Sequence, residues 1–143
     1  RLAEIGFVFQ FHFLLPEFSA LENVMMPMQK LGRNTLDESR KKALAILESL
    51  GLEGQAHKIP KKMSGGQCQR VAIARALAND PVIIMADEPT GNLDTESSRN
   101  VQQILRTLTT SRGCTVITVT HDIEFANRAD RIIRIVDGKL HRD

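Results

Sequence analysis

The fold class follows from the stretch Val82-Ile-Ile-Met-Ala-Asp87-Glu88-Pro89, in which five apolar residues are followed at once by two carboxylates and a proline. A short β-branched run with such a boundary predicts a buried strand over residues 82–86. Three further runs have the same character. They predict buried strands over residues 5–9, 115–120 and 131–136.

Helical patterns separate these strands. One helix is predicted to begin at the capping-box sequence Thr35-Leu-Asp-Glu38 and to end at Gly51. A second is predicted over residues 66–79, and a third from Asp94-Thr95 to the residue before Gly113. Strands that alternate with helices of this length predict parallel β-α-β units. The predicted fold is therefore α/β, a mostly parallel sheet with flanking helices.

The segment 11–62 breaks this alternation, because it contains helix signals and no convincing strand. It predicts a helical subdomain inserted in the α/β core. Residues 1–10 then form a strand of the core, residues 11–62 the helical subdomain, and residues 63–143 the rest of the core.

Composition narrows the functional classes. The chain has 143 residues, of which 42% are hydrophobic, enough for one domain with a buried core. Its 19 basic and 17 acidic residues give a net charge of +2, which predicts no nucleic-acid partner. The longest apolar run is far shorter than the roughly 20 residues that cross a bilayer. Cys68 and Cys114 lack metal-ligand spacing and are expected to be reduced thiols.

Asp87 and Glu88 carry the first chemical signal. The carboxyl ends of strands in a parallel sheet face the ligand crevice, so both acids are expected where chemistry takes place. Asp87 could hold a magnesium ion while Glu88 orients and deprotonates an attacking water. The alternative is an acidic exit from a strand. His121, directly after the strand 115–120, could contact a transferring phosphoryl group or cap the next helix.

The second signal is the sequence Ser64-Gly65-Gly66-Gln67 before the predicted helix 66–79. Two glycines leave the backbone open to another molecule, and the N–H groups of a helix start favour an anion. The alternative is a serine N-cap followed by a flexible linker. No phosphate loop of the form GxxxxGK[ST] occurs in the chain.

These residues together resemble one family, the ATP-binding subunits of ABC transporters. The resemblance runs through the chain in order: Gln10 after a strand, Ser64 to Gln67, Asp87-Glu88, Gly91-Asn-Leu-Asp94 and His121. It implies a P-loop NTPase fold of the ABC ATPase kind, present in part, with ATP and Mg²⁺ as ligands.

The resemblance also implies a role for each position. Gln10 and Asp87 would contact the magnesium ion, Glu88 would be the catalytic base, and His121 would lie near the γ-phosphate. Asp94 would be the D-loop aspartate, among the residues that bind the nucleotide. Ser64, Gly65, Gly66 and Gln67 would be the signature motif, which contacts the γ-phosphate of ATP held by a second, head-to-tail subunit.

The chain is most similar to the lipoprotein-releasing branch of the family, and macrolide-export and cell-division ATPases of the same branch are the next most similar. Three stretches carry this similarity: Phe9 to Pro16, Leu21 to Pro27 and Glu88 to Asp94. The implied partners are a second ATPase subunit and integral membrane permeases, at the cytoplasmic face of the bacterial inner membrane. Two alternatives stay open, a soluble ABC-type ATPase acting on ribosomes or chromosomes, and a non-enzymatic remnant. The apolar run Phe11 to Phe18 is interpreted either as core packing or as a permease-docking surface.

The chain begins with Arg1, so we expect that it was cut from a larger protein and that the phosphate loop precedes Arg1. The 143-residue chain alone is then expected to be inactive. In the family, the phosphate-loop strand lies between the strands that correspond to residues 115–120 and 131–136. Without it, we expect the C-terminal strand to shift, or two copies to self-associate or exchange strands.

Overall fold

The computed structural model describes residues 3–141. The elements in chain order are β1 (Ile5–Val8), α1 (Ala20–Leu31), α2 (Leu36–Ser49), a 3₁₀ turn (Pro60–Lys62), α3 (Gly65–Leu77), β2 (Ile83–Asp87), α4 (Thr95–Arg112), β3 (Thr115–Val119), α5 (Ile123–Ala126), β4 (Arg134–Val136) and β5 (Lys139–His141). No helix among the described residues has the length and apolar character needed to cross a membrane.

The central sheet has the order β1-β2-β3, and both pairs are parallel. The predicted β-α-β units are therefore confirmed. In the register, Val8 lies beside Ala86, and Asp87 beside Val119. The residues that follow β1, β2 and β3 consequently meet at one edge of the sheet.

One face of this sheet is buried under helices. Val8, Ile84 and Ala86 point into a hydrophobic core that also contains Val24 of α1 and Leu47 of α2. Helix α3 lies against β1, where a Cβ on Gly6 would be 2.5 Å from the carbonyl oxygen of Ala76. The glycine therefore permits this close approach of helix to strand.

The other face is apolar but exposed. Its side chains are Phe7, Phe9, Met85, Ile117 and Val119, each more than a third exposed. Alternation along the strands produces this arrangement, because successive side chains point to opposite faces.

The segment 11–62 is helical, as predicted, and its helices share the core cluster with the sheet. Two capping boxes begin them, at Ser19 for α1 and at Thr35 for α2. The Thr35 box was predicted. The division of the chain at residues 10 and 62 stays a prediction.

The prediction of a buried strand over residues 131–136 is wrong. Only Arg134–Val136 is a strand, and it pairs antiparallel with Lys139–His141 in a separate two-stranded sheet. All of its residues are exposed. The cause is the Asp137-Gly138 turn, with φ of 49° and 74°, which is the backbone that closes a tight two-residue hairpin.

Candidate functional site

Glu88 is held in place by the end of β3. Its backbone N–H donates to the Val119 carbonyl at 2.9 Å, and its φ of 43° lies in the left-handed region, which is strained for a residue with a Cβ. The Thr120 hydroxyl donates to Oε2 at 3.2 Å. The carboxylate therefore has a fixed direction at the sheet edge.

His121 contacts the other carboxylate oxygen of Glu88. Its backbone N–H donates to Oε1 at 2.8 Å, and its ring Nδ1 lies 2.7 Å from the same atom. The imidazole is 85% exposed, whereas the Glu88 side chain is 19% exposed. In the Nδ1–H tautomer the ring donates to Glu88 and leaves Nε2 directed elsewhere, available to a ligand. Asp122 is the N-cap of helix α5 and accepts from the Phe125 N–H, so capping that helix does not require His121.

Asp87 and Gln10 also belong to the edge of the sheet where β1 and β2 end. Asp87 is the last residue of β2 and is exposed on the open face of the sheet. Gln10 follows β1 by two residues, and its Nε2 lies 3.4 Å from Oδ1 of Asn92. A Cβ on Gly91 would come within 2.9 Å of the same Nε2, so the glycine makes room for this side chain.

The signature residues differ from the turn that the sequence indicated. Ser64 is the N-cap of α3, and Gly65 and Gly66 are its first two helical residues. The Ser64 hydroxyl accepts from the Gln67 backbone N–H at 3.2 Å, and Gln67 Oε1 accepts from the Ser64 N–H at 3.0 Å. The serine-cap alternative is thus part of the structure, without the flexible linker.

The two glycines have different surroundings. A Cβ on Gly65 would meet its nearest atom, Leu93 Cδ2, at an ordinary 3.7 Å. A Cβ on Gly66 would lie 2.5 Å from Oγ and 2.9 Å from Cβ of Ser97 in α4. Gly65 is therefore open to a ligand or partner, while Gly66 is required by packing within the chain.

Asp94 is the N-cap of α4. It accepts hydrogen bonds from the backbone N–H of Ser97 at 2.9 Å and from its hydroxyl at 2.7 Å. These bonds stabilise the charged form and lower the pKa of Asp94 below its usual value, although its carboxylate is exposed. Ser97 thus contacts both the Asp94 carboxylate and the position where Gly66 has no side chain.

Sequence reasoning missed Gln69, a fully buried amide in α3. It donates to the carbonyl oxygens of Phe9 at 3.3 Å and Pro89 at 2.7 Å, and its Oε1 lies 2.6 Å from His12 Nδ1. The available signal was a polar residue among the apolar positions of a helix. Thr120 was missed because it was assigned to the strand.

The edge of the sheet carries oxygen ligands of the kind that magnesium takes. No group of three or more His, Cys, Asp or Glu side chains that could hold a metal occurs among residues 3–141. Magnesium is commonly bound by one or two carboxylates together with substrate phosphates. Asp87 and the amide oxygen of Gln10 are ligands of the required oxygen type.

Comparison with known proteins agrees with this geometry. A family model described as ABC transporter matches residues 1–91. The chain is 52% identical over 143 residues to the lipoprotein-releasing system ATP-binding protein LolD 1 of Chlorobium chlorochromatii, covering 100% of this chain and 58% of the relative. It is 52% identical over 141 residues to LolD of Pseudomonas syringae pv. tomato, covering 98% of this chain and 61% of the relative.

Solved structures show the same relationship. The dimeric ATP-binding cassette MJ0796, in a post-hydrolysis state bound to ADP and Pi, superposes with a TM-score of 0.88 at 47% identity, covering 99% of this chain and 62% of that chain. The fold is that of ABC ATPase cassettes, present in part. The chain belongs to the ABC transporter family. It spans about 60% of the length of the curated relatives it matches, 58% and 61% for the two named above.

Proposed function

We propose that this chain acts in an ATP-hydrolysing subunit that powers a membrane transporter, and that the transport process is the release of lipoproteins from the inner membrane. The observation that carries the proposal is the Glu88 carboxylate, held by Thr120 and His121 at the edge where three parallel strands end. The proposed class of transporter is supported by the names of the LolD relatives.

Glu88 is the proposed general base. A carboxylate with fixed direction can orient a water and accept its proton as the water attacks the γ-phosphate. His121 uses both lone-pair sites of Oε1, and Thr120 uses one of the two on Oε2, so one site on Oε2 remains for that water. The exposed Nε2 of His121 is the proposed contact to the transferring phosphoryl group.

Asp87 and Gln10 are the proposed ligands of Mg²⁺, which when bound neutralises charge on the phosphate oxygens. The contact between Gln10 and Asn92 connects this pair to the loop that leads to Asp94. Asp94 is proposed to lie at the contact with the second subunit.

The signature is proposed to act on ATP bound by that second subunit. The Ser64 hydroxyl hydrogen remains available as a donor, because Ser64 Oγ uses only a lone pair to cap Gln67. The N–H groups of Gly65 and Gly66 are also available, because the first N–H groups of a helix have no partner within the helix. The positive end of the helix dipole favours a phosphate there. Gln67 supports this arrangement by capping Ser64 in return.

The permeases are the proposed membrane partners, which would place the subunit peripherally at the cytoplasmic face. Phe11 and Phe13 are 63% and 65% exposed, which supports the docking interpretation over core packing. The buried Asn23 amide holds the following loop by bonds to the backbone of Leu15 and Phe18. The apolar surface is therefore presented on a fixed backbone. Self-association of this chain and strand exchange between copies stay predictions.

Hydrolysis is tested with the complete product of the gene that encodes this chain. Glu88→Gln should reduce ATP turnover by about 100-fold or more while ATP binding, measured with a fluorescent ATP analogue, is retained. Glu124→Gln, an exposed carboxylate in the first turn of α5, is the matched control and should retain turnover. Equal turnover in the two variants would contradict the role of Glu88.

The action of the signature in trans is tested with the 143-residue chain itself. It is mixed with the complete gene product that carries Ser64→Arg. ATP hydrolysis should rise when the added 143-residue chain is wild type and stay at background when that chain also carries Ser64→Arg.

The transported substrate is tested in the host cell. Depletion of the gene product should leave lipoproteins in the inner membrane, as measured by membrane fractionation. Normal lipoprotein sorting would contradict this substrate and leave the hydrolysis result unaffected.

A further inference from the structure

The segment that carries Gln10 and the turn that carries Glu88 are joined by one side chain. Gln69 donates through Nε2 to the Phe9 carbonyl, one residue before Gln10, and to the Pro89 carbonyl, one residue after Glu88. Both acceptors are carbonyl oxygens, so the orientation of the amide is fixed: its NH₂ faces them and its Oε1 faces His12.

The third bond places a hydrogen on Nδ1 of His12. Gln69 Oε1 is only an acceptor and lies 2.6 Å from His12 Nδ1, so that nitrogen carries a hydrogen. Both hydrogens of the Gln69 NH₂ group are donated to carbonyl oxygens, and the Gln69 side chain is 0% exposed. Such a fully satisfied buried network specifies one arrangement of the segments it joins.

Helix α3 provides a rigid support for this amide. Val71, Ala72 and Ile73, which follow Gln69 within one turn, are each 0% exposed. Arg75 on the same helix donates to the carbonyls of His12 at 2.8 Å and Phe13 at 2.6 Å. The backbone on both sides of Gln10 is consequently bonded to a single buried helix.

We propose that Gln69 is a positioning residue that sets the distance between Gln10, a proposed magnesium ligand, and Glu88, the proposed base. It acts through the backbone of Phe9 and Pro89 and does not touch the reacting atoms. This inference rests on the proposed function of the site. Helix α3 then has two roles. Its N-terminus carries the signature, which is proposed to act on ATP of the second subunit, and its Gln69 positions Gln10 and Glu88 of the same chain.

Gln69→Met is the principal variant, because it has similar volume and cannot make the three bonds. Ile73→Val is the matched control, since it removes buried volume from the same helix and breaks no hydrogen bond. His12→Leu removes only the partner of Oε1 at a half-buried position, and it keeps the inference testable if Gln69→Met does not fold.

The first measurement needs no activity. Long-range ¹H–¹⁵N NMR of the 143-residue chain should show His12 in the Nδ1–H tautomer in the wild type and in Ile73→Val. In Gln69→Met the ring should change to the Nε2–H tautomer that is favoured in water. An unchanged tautomer in Gln69→Met would overturn the inference.

The second measurement uses the complete gene product. Gln69→Met should lower kcat and raise the Mg²⁺ concentration for half-maximal hydrolysis, each by about tenfold, as loss of an outer-shell support does. The ATP concentration for half-saturation should change by less than about twofold, because the phosphate-binding groups are untouched. His12→Leu should move kcat and the Mg²⁺ requirement in the same direction by a smaller factor, and Ile73→Val should move neither.

The two failures are distinguishable. The positioning role alone would be overturned if the wild type hydrolyses ATP and Gln69→Met has an unchanged kcat and Mg²⁺ requirement. If Gln69→Met does not fold, the same result in His12→Leu would overturn it. A wild-type gene product that does not hydrolyse ATP would overturn the proposed function and the positioning role with it.

Discussion

The contrast between Gly65 and Gly66 gives a prediction that separates packing from ligand binding. Gly66→Ala would place a Cβ 2.5 Å from Ser97 Oγ and 2.9 Å from Ser97 Cβ. Rotation of the hydroxyl does not relieve the contact with Cβ, and it breaks the 2.7 Å bond to Asp94. The helices α3 and α4 must therefore move apart.

The magnitude follows from the two opposing terms. Overpacking of this kind costs about 1–3 kcal/mol, and the lost hydrogen bond costs about 1 kcal/mol. Alanine in place of glycine in a helix returns at most about 1 kcal/mol. Gly66→Ala should thus lower the free energy of unfolding by about 1–3 kcal/mol. Gly65→Ala, whose Cβ would make only an ordinary contact with Leu93, should be neutral or slightly stabilising.

Urea unfolding of the 143-residue chain, followed by far-UV circular dichroism, measures both variants. With a slope of about 1–3 kcal/mol per M, their midpoints should differ by about 1 M. The double variant Gly66→Ala/Ser97→Gly removes the obstructing side chain and should be no less stable than Ser97→Gly alone. Equal midpoints for Gly65→Ala and Gly66→Ala would refute the reasoning.

Three further predictions concern groups outside this contact. Burial raises the pKa of the Cys68 and Cys114 thiols, so the folded chain should react with a disulfide reagent at pH 8 about tenfold more slowly than the chain in urea; equal rates would contradict the buried placement. Hydrogen bonds lower the pKa of Asp94 and Glu38 in the folded state, so their stabilisation is present above the unfolded pKa and is lost as pH falls through the folded pKa. The urea concentration at the unfolding midpoint should therefore decrease as the pH is lowered below about 4. This decrease should be smaller in the double variant Asp94→Asn/Glu38→Gln. Parallel plots of midpoint against pH for the wild type and the variant would contradict the assignment. Gly138→Ala, at φ 74°, should abolish cross-strand nuclear Overhauser effects in the exposed β4–β5 hairpin while changing the global free energy of unfolding by less than about 0.5 kcal/mol.

The sequence was sufficient for features that depend on local pattern. The bounds of β1, β2 and β3 were predicted within one residue, because β-branched runs end at charges or turns. The expected burial of β3 was wrong, since none of its residues is buried. Their parallel pairing followed from the intervening helices. The positions of Asp87, Glu88 and His121 at strand ends followed in turn, and the contact between Glu88 and His121 agrees with that placement.

Features that depend on packing could not be obtained in this way. The roles of Gln69 and Ser97 arise from residues that lie 20 or more positions away in the chain, at Pro89 and Gly66. A buried glutamine and a helical serine have no periodicity that would reveal such partners. The strain at Glu88 was also hidden, because a left-handed φ at a glutamate is imposed by the surrounding sheet and turn.

The C-terminal hairpin shows why one apolar run was misread. Residues 131–136 have the composition of a buried strand, yet burial requires a neighbouring strand with free backbone groups on the correct side. The Asp137-Gly138 turn supplies a local partner, Lys139–His141, and that pairing satisfies the backbone groups on one edge of the strand. A two-residue turn closes a much shorter loop than any pairing with β3, so its entropic cost is lower. The run pairs with its local neighbour, and its isoleucines are exposed.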